Sequence, residues 1–411
     1  MKEFFSVLGP GLVTGASDDD PSGIVTYSQA GAAFGLSTLW TSLLTFPLMT
    51  AIQSMCARIG AATSKGLTGV LKAHYPKWIL LCVMAFSFPA IILNIGADLQ
   101  SMGAVMHLIA PKVPTFYFEI IFAVLILYTL INFSYQQISK ILKWLCTVLF
   151  LYIVIPFLVK VNWVDVIKHL FIPTLKSGKD FFAILVAILG TTISPYLFFW
   201  QATMEAEDIA NSKSRIVVDK KFLSKIRTDI TVGMFFSNLV MFFIILTSGV
   251  VLYSAGIHKI LTVDQAARSL EPLAGKFSYL LFTMGIIGTG FLAIPVLAGS
   301  LSYIVAETFG WREGLQKKIS RAPGFYLVIV ISLVAGVLLN IFGIQPVQAL
   351  IYTAILYGMT APPLIAIILH ICNNPRIMGK AVNSKSSNVL GFITLIIMSI
   401  SAFALIYFQL H

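Results

Sequence analysis

Charge is scarce in this sequence. Of its 411 residues, 11% are Asp, Glu, Lys or Arg and 58% are hydrophobic, whereas an ordinary soluble domain carries about 25% charged residues. That shortage excludes a water-soluble globule and indicates a polytopic membrane protein. Cysteine is nearly absent as well. Cys56, Cys82, Cys146 and Cys372 are scattered through apolar segments without a CxxC pair, which argues against a disulfide framework and for buried hydrophobic side chains. Six dispersed histidines include no HxxxH pair, so no zinc site is expected. No HExxH or GxSxG constellation occurs, and an enzyme is not expected. Lys2 and Glu3 lead straight into an apolar stretch without a small-residue cleavage site, so the first helix is expected to stay in the mature protein. The net charge of +11 sits mainly in short loops between apolar runs, where basic residues report topology rather than a nucleic-acid partner.

What is present is a succession of apolar runs, each about 17 to 25 residues long, the length that crosses a bilayer. They cover Phe4 to Phe34, Leu39 to Ile59, Trp78 to Met102, Thr115 to Phe133 and Ile141 to Val161. An amphipathic linker follows over 162–180. The later runs are Phe181 to Met204, Ile230 to Tyr253, Tyr279 to Thr308, Phe325 to Phe342, Val347 to Ile371 and Val389 to Phe408. Eleven spans are expected.

Two of these runs are interrupted. Asp18-Asp19-Asp20-Pro21-Ser22-Gly23 sets three carboxylates and two helix breakers inside the first, and Thr192-Ile193-Ser194-Pro195 interrupts the sixth. Proline removes a backbone donor, and unwound backbone at membrane depth is tolerated only within protein or beside a cavity. A carboxylate there marks a functional site by default. The plainer reading, a proline kink with acids near the membrane surface, loses weight because there are two breaks.

With the N-terminus cytoplasmic, alternating segments hold 20 of the 28 Lys and Arg inside and 8 outside, the bias expected of a correct layout. The C-terminus is then extracytoplasmic. Breaks in the first and sixth spans leave five spans per unit, and an odd number inverts the second unit relative to the first. The expected division is 4–161 for the first unit, 162–180 for the linker, 181–371 for the second unit and 389–408 for an additional helix. Substrate should bind where the two breaks meet.

The motifs at these breaks resemble those of the NRAMP divalent-metal transporters, and more closely their NRAMP-related branch associated with magnesium transport. The resemblance covers nearly the whole chain. It rests on Gly9-Pro10-Gly11, on Asp20-Pro21-Ser22-Gly23 where NRAMP proteins carry Asp-Pro-Gly-Asn, and on Ser194-Pro195-Tyr196 where they carry Met-Pro-His. It implies an all-α polytopic membrane protein: eleven transmembrane helices, a LeuT-like 5+5 inverted repeat with broken first and sixth helices, plus one extra helix.

Carried over residue by residue, the family's metal site implies the Asp20 side chain and the Thr191 carbonyl as ligands. Gly23 stands at a vacated ligand position, and Ser194 offers a hydroxyl in place of a thioether. Loss of sulfur favours hard ions, and Mg²⁺ keeps several of its waters. The family's histidines fall on Tyr196 and Gln201, and its third-span acids fall approximately on Asn94 and Ala97. Asp98 lies one residue further round the helix, as either a helix contact or a cavity-lining acid. Asp18 and Asp19 are expected to line an aqueous vestibule. Glu205, Glu207 and Asp208 read as a solvated loop, and Tyr357 and Thr360 as packing residues.

The expected function is therefore import of divalent metal ions, Mg²⁺ with Mn²⁺ also accepted, without proton coupling and without a cofactor. The alternative is a proton-coupled NRAMP-type Mn²⁺ or Fe²⁺ importer. An amino-acid transporter of similar architecture is disfavoured because Asp20 would repel a carboxylate; a pure channel is harder to separate. The expected setting is the lipid bilayer of a bacterial inner membrane, with no protein partner evident.

Overall fold

Prolines divide the first and sixth runs at their predicted breaks. The computed structural model describes residues 10–133, 137, 147–210 and 218–410. The chain runs through α1 (Pro10–Asp18), α2 (Pro21–Phe34), α3 (Trp40–Thr63), the short α4 (Leu67–His74), α5 (Lys77–Ile109) and α6 (Thr115–Asn132). Next come α7 (Leu151–Leu158), α8 (Trp163–Phe171), α9 (Lys179–Thr192) and α10 (Pro195–Ala210). The last five are α11 (Lys220–Val251), α12 (Ser278–Phe309), α13 (Pro323–Leu338), α14 (Pro346–Cys372) and α15 (Lys385–Leu410). No strand occurs among the described residues.

By length and composition, eight helices among the described residues can cross a membrane, or nine if the bent pair Pro21–Thr38 and Trp40–Thr63 is one span. The 108° bend in that pair joins successive spans, because the 24 residues of α3 already reach about 36 Å at 1.5 Å per residue. The first run escapes a length criterion because neither α1 nor α2 is long enough alone. The fifth run falls partly outside the described residues. Part of the expected linker forms α8, an amphipathic helix with Val166 buried and Val164, Ile167 and Phe171 exposed.

The packing surrounds the two broken spans. Helix α11 lies against both α1 and α2, α9 against α14, α10 against α3 and α12 against α5. Small residues permit these approaches, as is usual between membrane helices. A side-chain carbon on Gly190 would run into the Ala354 carbonyl and the Gly358 backbone, and one on Gly15 into the Gly233 backbone. Outer faces are apolar and exposed, as with Ile396, Ile400 and Phe403 on α15, the pattern of surfaces solvated by lipid tails. Cys82 departs from expectation: Cys56 and Cys372 are buried, whereas Cys82 is exposed. An apolar run does not reveal which of its faces meets lipid, and a thiol is tolerated on either.

Candidate metal site

Asp20 is held from two sides. It is the N-cap of α2, with Pro21 at the first helical position where a missing N–H costs nothing. The Gly23 backbone N–H donates to Asp20 Oδ1 at 2.7 Å. Across the interior, Asn94 Nδ2 on α5 donates to Asp20 Oδ2 at 3.0 Å. Asn94 is oriented in turn by Thr353 on α14, whose hydroxyl donates to Asn94 Oδ1 at 3.1 Å and to the Leu350 carbonyl at 2.8 Å. The Ser22 hydroxyl donates to that same Leu350 carbonyl at 2.9 Å. The carboxylate is thus buried, only 2% exposed, and fixed in orientation, with lone pairs left on both oxygens.

The second break comes up against the first. A side-chain carbon on Gly23 would lie 3.4 Å from Thr191 Oγ1 and 3.3 Å from the Tyr27 ring. Ser194 turns its hydroxyl back onto the half-helix it follows, donating to the Thr191 carbonyl at 2.6 Å and the Gly190 carbonyl at 3.1 Å. These are carbonyls that an unbroken helix would have used. Tyr27 and Thr192 hydroxyls meet at 3.2 Å, and Tyr196 OH donates to the Ser17 carbonyl at 3.0 Å. Asp20, Gly23, Thr191 and Ser194, the four residues singled out in the sequence, therefore sit around one buried junction. None carries sulfur. Met241, whose sulfur is 3.9 Å from the Thr192 hydroxyl, is the thioether beside the second break, and the Thr45 hydroxyl also engages it at 3.8 Å.

The neighbouring acids behave differently from one another. Asp18 and Asp19 do not line an open vestibule: they are 0% and 4% exposed. Ser237 on α11 donates to Asp18 Oδ2 at 2.8 Å and lies 3.3 Å from Asp19 Oδ1. Consecutive acids on a helix end face different sides, and α11 covers both. Asp98 is fully buried, and neither carboxylate oxygen has a hydrogen-bond partner. Among the described residues, no group of three or more His, Cys, Asp or Glu is arranged to hold a metal.

Toward the basic end of the bundle, the expected solvated loop is part of α10. Glu205 is buried and accepts from Gln201 Nε2 at 2.9 Å; Thr14 donates to Gln201 Oε1 at 2.5 Å. Glu207 accepts from Tyr303 OH at 2.9 Å, and only Asp208 is exposed. The helix runs on to Ala210, which turns Glu205 and Glu207 inward and leaves Asp208 facing out. Glu313, in the segment after α12, is pushed up to about 7 by burial and by the Glu207 carboxylate, against the opposing pull of Lys317 and Lys72.

Three contributors were missed at the sequence level as contacts: Asn94, Thr353 and Ser237. A lone asparagine inside an apolar run is a usable signal, since buried amides in membranes seek partners. Ser and Thr in such runs carry little signal, because they commonly bond their own helix. Tyr357 is buried, its ring centroid 5.7 Å from that of Tyr196, and its hydroxyl has no hydrogen-bond partner.

A sequence model of the natural resistance-associated macrophage protein-like family (Nramp) matches residues 11–408. The divalent metal cation transporter MntH of Caldanaerobacter subterraneus subsp. tengcongensis is 24% identical over 415 residues, covering 100% of this chain and 94% of that protein. MntH of Erwinia tasmaniensis is 22% identical, covering 99% and 95%. Among solved structures, the Eremococcus coleocola manganese transporter superposes with a TM-score of 0.77 at 18% identity, over 96% of this chain and 85% of that one. The nucleobase-cation-symport-1 family transporter Mhp1 superposes with a TM-score of 0.59 at 11% identity, over 97% and 92%. At these identities the structural likenesses establish a shared LeuT-like architecture.

Proposed function

Because the chain belongs to the Nramp family, we propose that it carries divalent metal cations across a membrane, Mg²⁺ foremost with Mn²⁺ also accepted, and without coupling to protons. The observation that carries this reading is the oxygen-only junction of the two breaks: the Asp20 carboxylate, the Thr191 carbonyl and the Ser194 hydroxyl, with Gly23 offering no side chain. Carboxylate, carbonyl and hydroxyl oxygens suit hard ions, and an ion that keeps part of its water shell needs few protein ligands.

Absence of coupling is supported by the two positions where the resemblance implies histidines. Tyr196 and Gln201 instead form fixed bridges to α1. Neither titrates in the physiological range. Entry would then follow the membrane potential, worth about 4.6 kcal/mol per divalent ion per 100 mV. We assign 4–161 and 181–371 as the two inverted units, with 162–180 linking them and 389–408 added. The N-terminus is placed in the cytoplasm, the C-terminus outside it, and the protein in a bacterial inner membrane.

One observation favours a second reading, the proton-coupled Mn²⁺ or Fe²⁺ importer. Asp98 is buried in α5 without any hydrogen-bond partner, and an acid inside a membrane span is the kind of group that proton relays use.

Proteoliposomes holding the purified protein separate the two. Saturable uptake of Mg²⁺ and Mn²⁺ without internal acidification, lost in Asp20→Asn, is the expected result. Asparagine caps a helix about as well as aspartate, so this variant removes the charge and keeps the fold. Mn²⁺ uptake with proton entry and no Mg²⁺ flux would establish the second reading instead.

A further inference from the structure

A cavity of about 200 Å³ opens between α3, α11 and the first turn of α15. It lies away from the junction of the breaks, at the helix ends that join the Lys- and Arg-rich segments. Two guanidinium groups, those of Arg58 and Arg227, line it. Among the described residues, no ion pair joins either guanidinium to a carboxylate. No Asp or Glu lines the cavity. Arg58 gives one N–H to Asn383 Oδ1 at 2.8 Å, which leaves most of its five donors for another acceptor.

Hydroxyl groups complete the polar side. Thr50 and Ser54 precede Arg58 at four-residue steps along α3, so all three share one face. Both residues line the cavity, and their hydroxyls are buried without a hydrogen-bond partner. Ser386 and Ser387 bring the N-terminal end of the 26-residue α15 to the same space, an end that favours negative charge. Two like charges and a helix N-terminal end around one space call for an anion with several acceptor oxygens.

The remaining wall is apolar and decides which anion. Phe46 and Leu390 line the cavity. Phe46 packs edge-on against Phe235 at 6.0 Å, and Phe235, 49% exposed, lies on the outer surface of α11. The cavity, apolar over most of its wall, therefore runs from the two arginines to the lipid-facing side of the bundle. Its volume falls below the roughly 300 to 1,000 Å³ of complete small-molecule sites, which fits a headgroup whose tails lie outside.

We propose that this pocket binds the phosphate headgroup of an anionic phospholipid, with the acyl chains along the Phe46 and Phe235 face. Basic pockets between membrane helices on the cytoplasmic side suit such headgroups. The site is independent of which ion the protein carries.

Native mass spectrometry and thermal melting of the full-length protein test it, with phosphatidylglycerol, phosphatidylcholine and inorganic phosphate as probes. Phosphatidylglycerol is expected to bind more tightly than phosphatidylcholine and to raise the melting temperature. Arg227→Gln should cut that preference about fivefold, the worth of one basic residue near an anionic surface, with Arg227→Lys restoring part of it. Arg58→Gln should do the same, and because Arg58 also bonds Asn383, the exposed Arg227 gives the cleaner readout. Equal binding of the two lipids, or a preference unchanged in both glutamine variants, would overturn the proposal. So would inorganic phosphate that displaces phosphatidylglycerol at equal concentration, which would make this a site for the free anion.

Discussion

Asn94 donates its amide to Asp20 Oδ2 at 3.0 Å while its carbonyl oxygen accepts from Thr353 at 3.1 Å. One side chain thereby ties the break in the first span to α5 and α14 together. A flipped amide would set its carbonyl oxygen against the Asp20 carboxylate and lose that bond. The N–H is therefore directed at the carboxylate, and the Asp20 side chain is held in one orientation.

Removing that donor should weaken ion binding while leaving the fold in place. Hydrogen bonds to a charged group contribute about 1.5 to 3 kcal/mol, so Asn94→Ala is expected to raise the KM for uptake by about tenfold or more. Thr353→Val, which releases the amide and one bond to the Leu350 carbonyl but leaves the donor to Asp20 in place, should have a smaller effect. Uptake kinetics of the two single variants and the double variant give the coupling directly. Independent, additive effects would mean that Thr353 does not act through Asn94.

Ser194→Met tests the ligand chemistry. The change supplies a soft thioether and removes the hydroxyl that covers the Thr191 and Gly190 carbonyls. Sulfur favours transition metals over Mg²⁺, so the ratio of Mn²⁺ to Mg²⁺ uptake is expected to rise by about tenfold, with Mg²⁺ flux falling. A ratio unchanged in competition assays would remove Ser194 from the ion's surroundings.

Gly190→Ala tests the packing of α9 on α14. Its added methyl meets the Ala354 carbonyl and the Gly358 backbone, and these are main-chain atoms that cannot swing aside. Overpacking of this kind costs about 1 to 3 kcal/mol. A lowered melting temperature in detergent is expected, while Gly256→Ala, in open space although at positive φ, should change it less.

Glu313 predicts a pH effect whose sign follows from its raised value. A carboxyl held near 7 when folded, against the ordinary 4.5, binds its proton more tightly in the native state than in the unfolded one. Its contribution to stability is complete below about 4.5 and disappears as the pH rises through 7. Thermal melts between pH 4.5 and 8 should therefore fall less steeply for Glu313→Gln than for the parent protein. Parallel curves would show that Glu313 ionises normally.

Much of the site was legible because its signals are local. Asp20 and Pro21 have the side chains favoured at an N-cap and a first helical position, and Pro195 takes the first position of α10. The apolar runs likewise predicted the helices, since a helix satisfies its backbone groups within its own segment and runs of this length suit it. What stayed hidden were partners chosen by packing. Ser237 lies 219 residues from Asp18, and no local pattern marks it as the cover that buries two acids expected in water. Glu205 reads as loop until α10 continues past Met204 and turns it inward.

The sequence by itself determined where the helices are, where two of them break and which carboxylate stands at the break, because chain stiffness, proline chemistry and the cost of buried charge act over a few residues. Only the tertiary structure decided that Asn94 and Thr353 aim Asp20, that Ser194 folds back on Thr191, and that Arg58, Arg227 and Ser387 share one cavity. Those relations depend on which helix faces lie against each other. That is settled by close packing of small residues across the whole bundle, such as Gly15 on Gly233 and Gly190 on Gly358, and by no single stretch of chain.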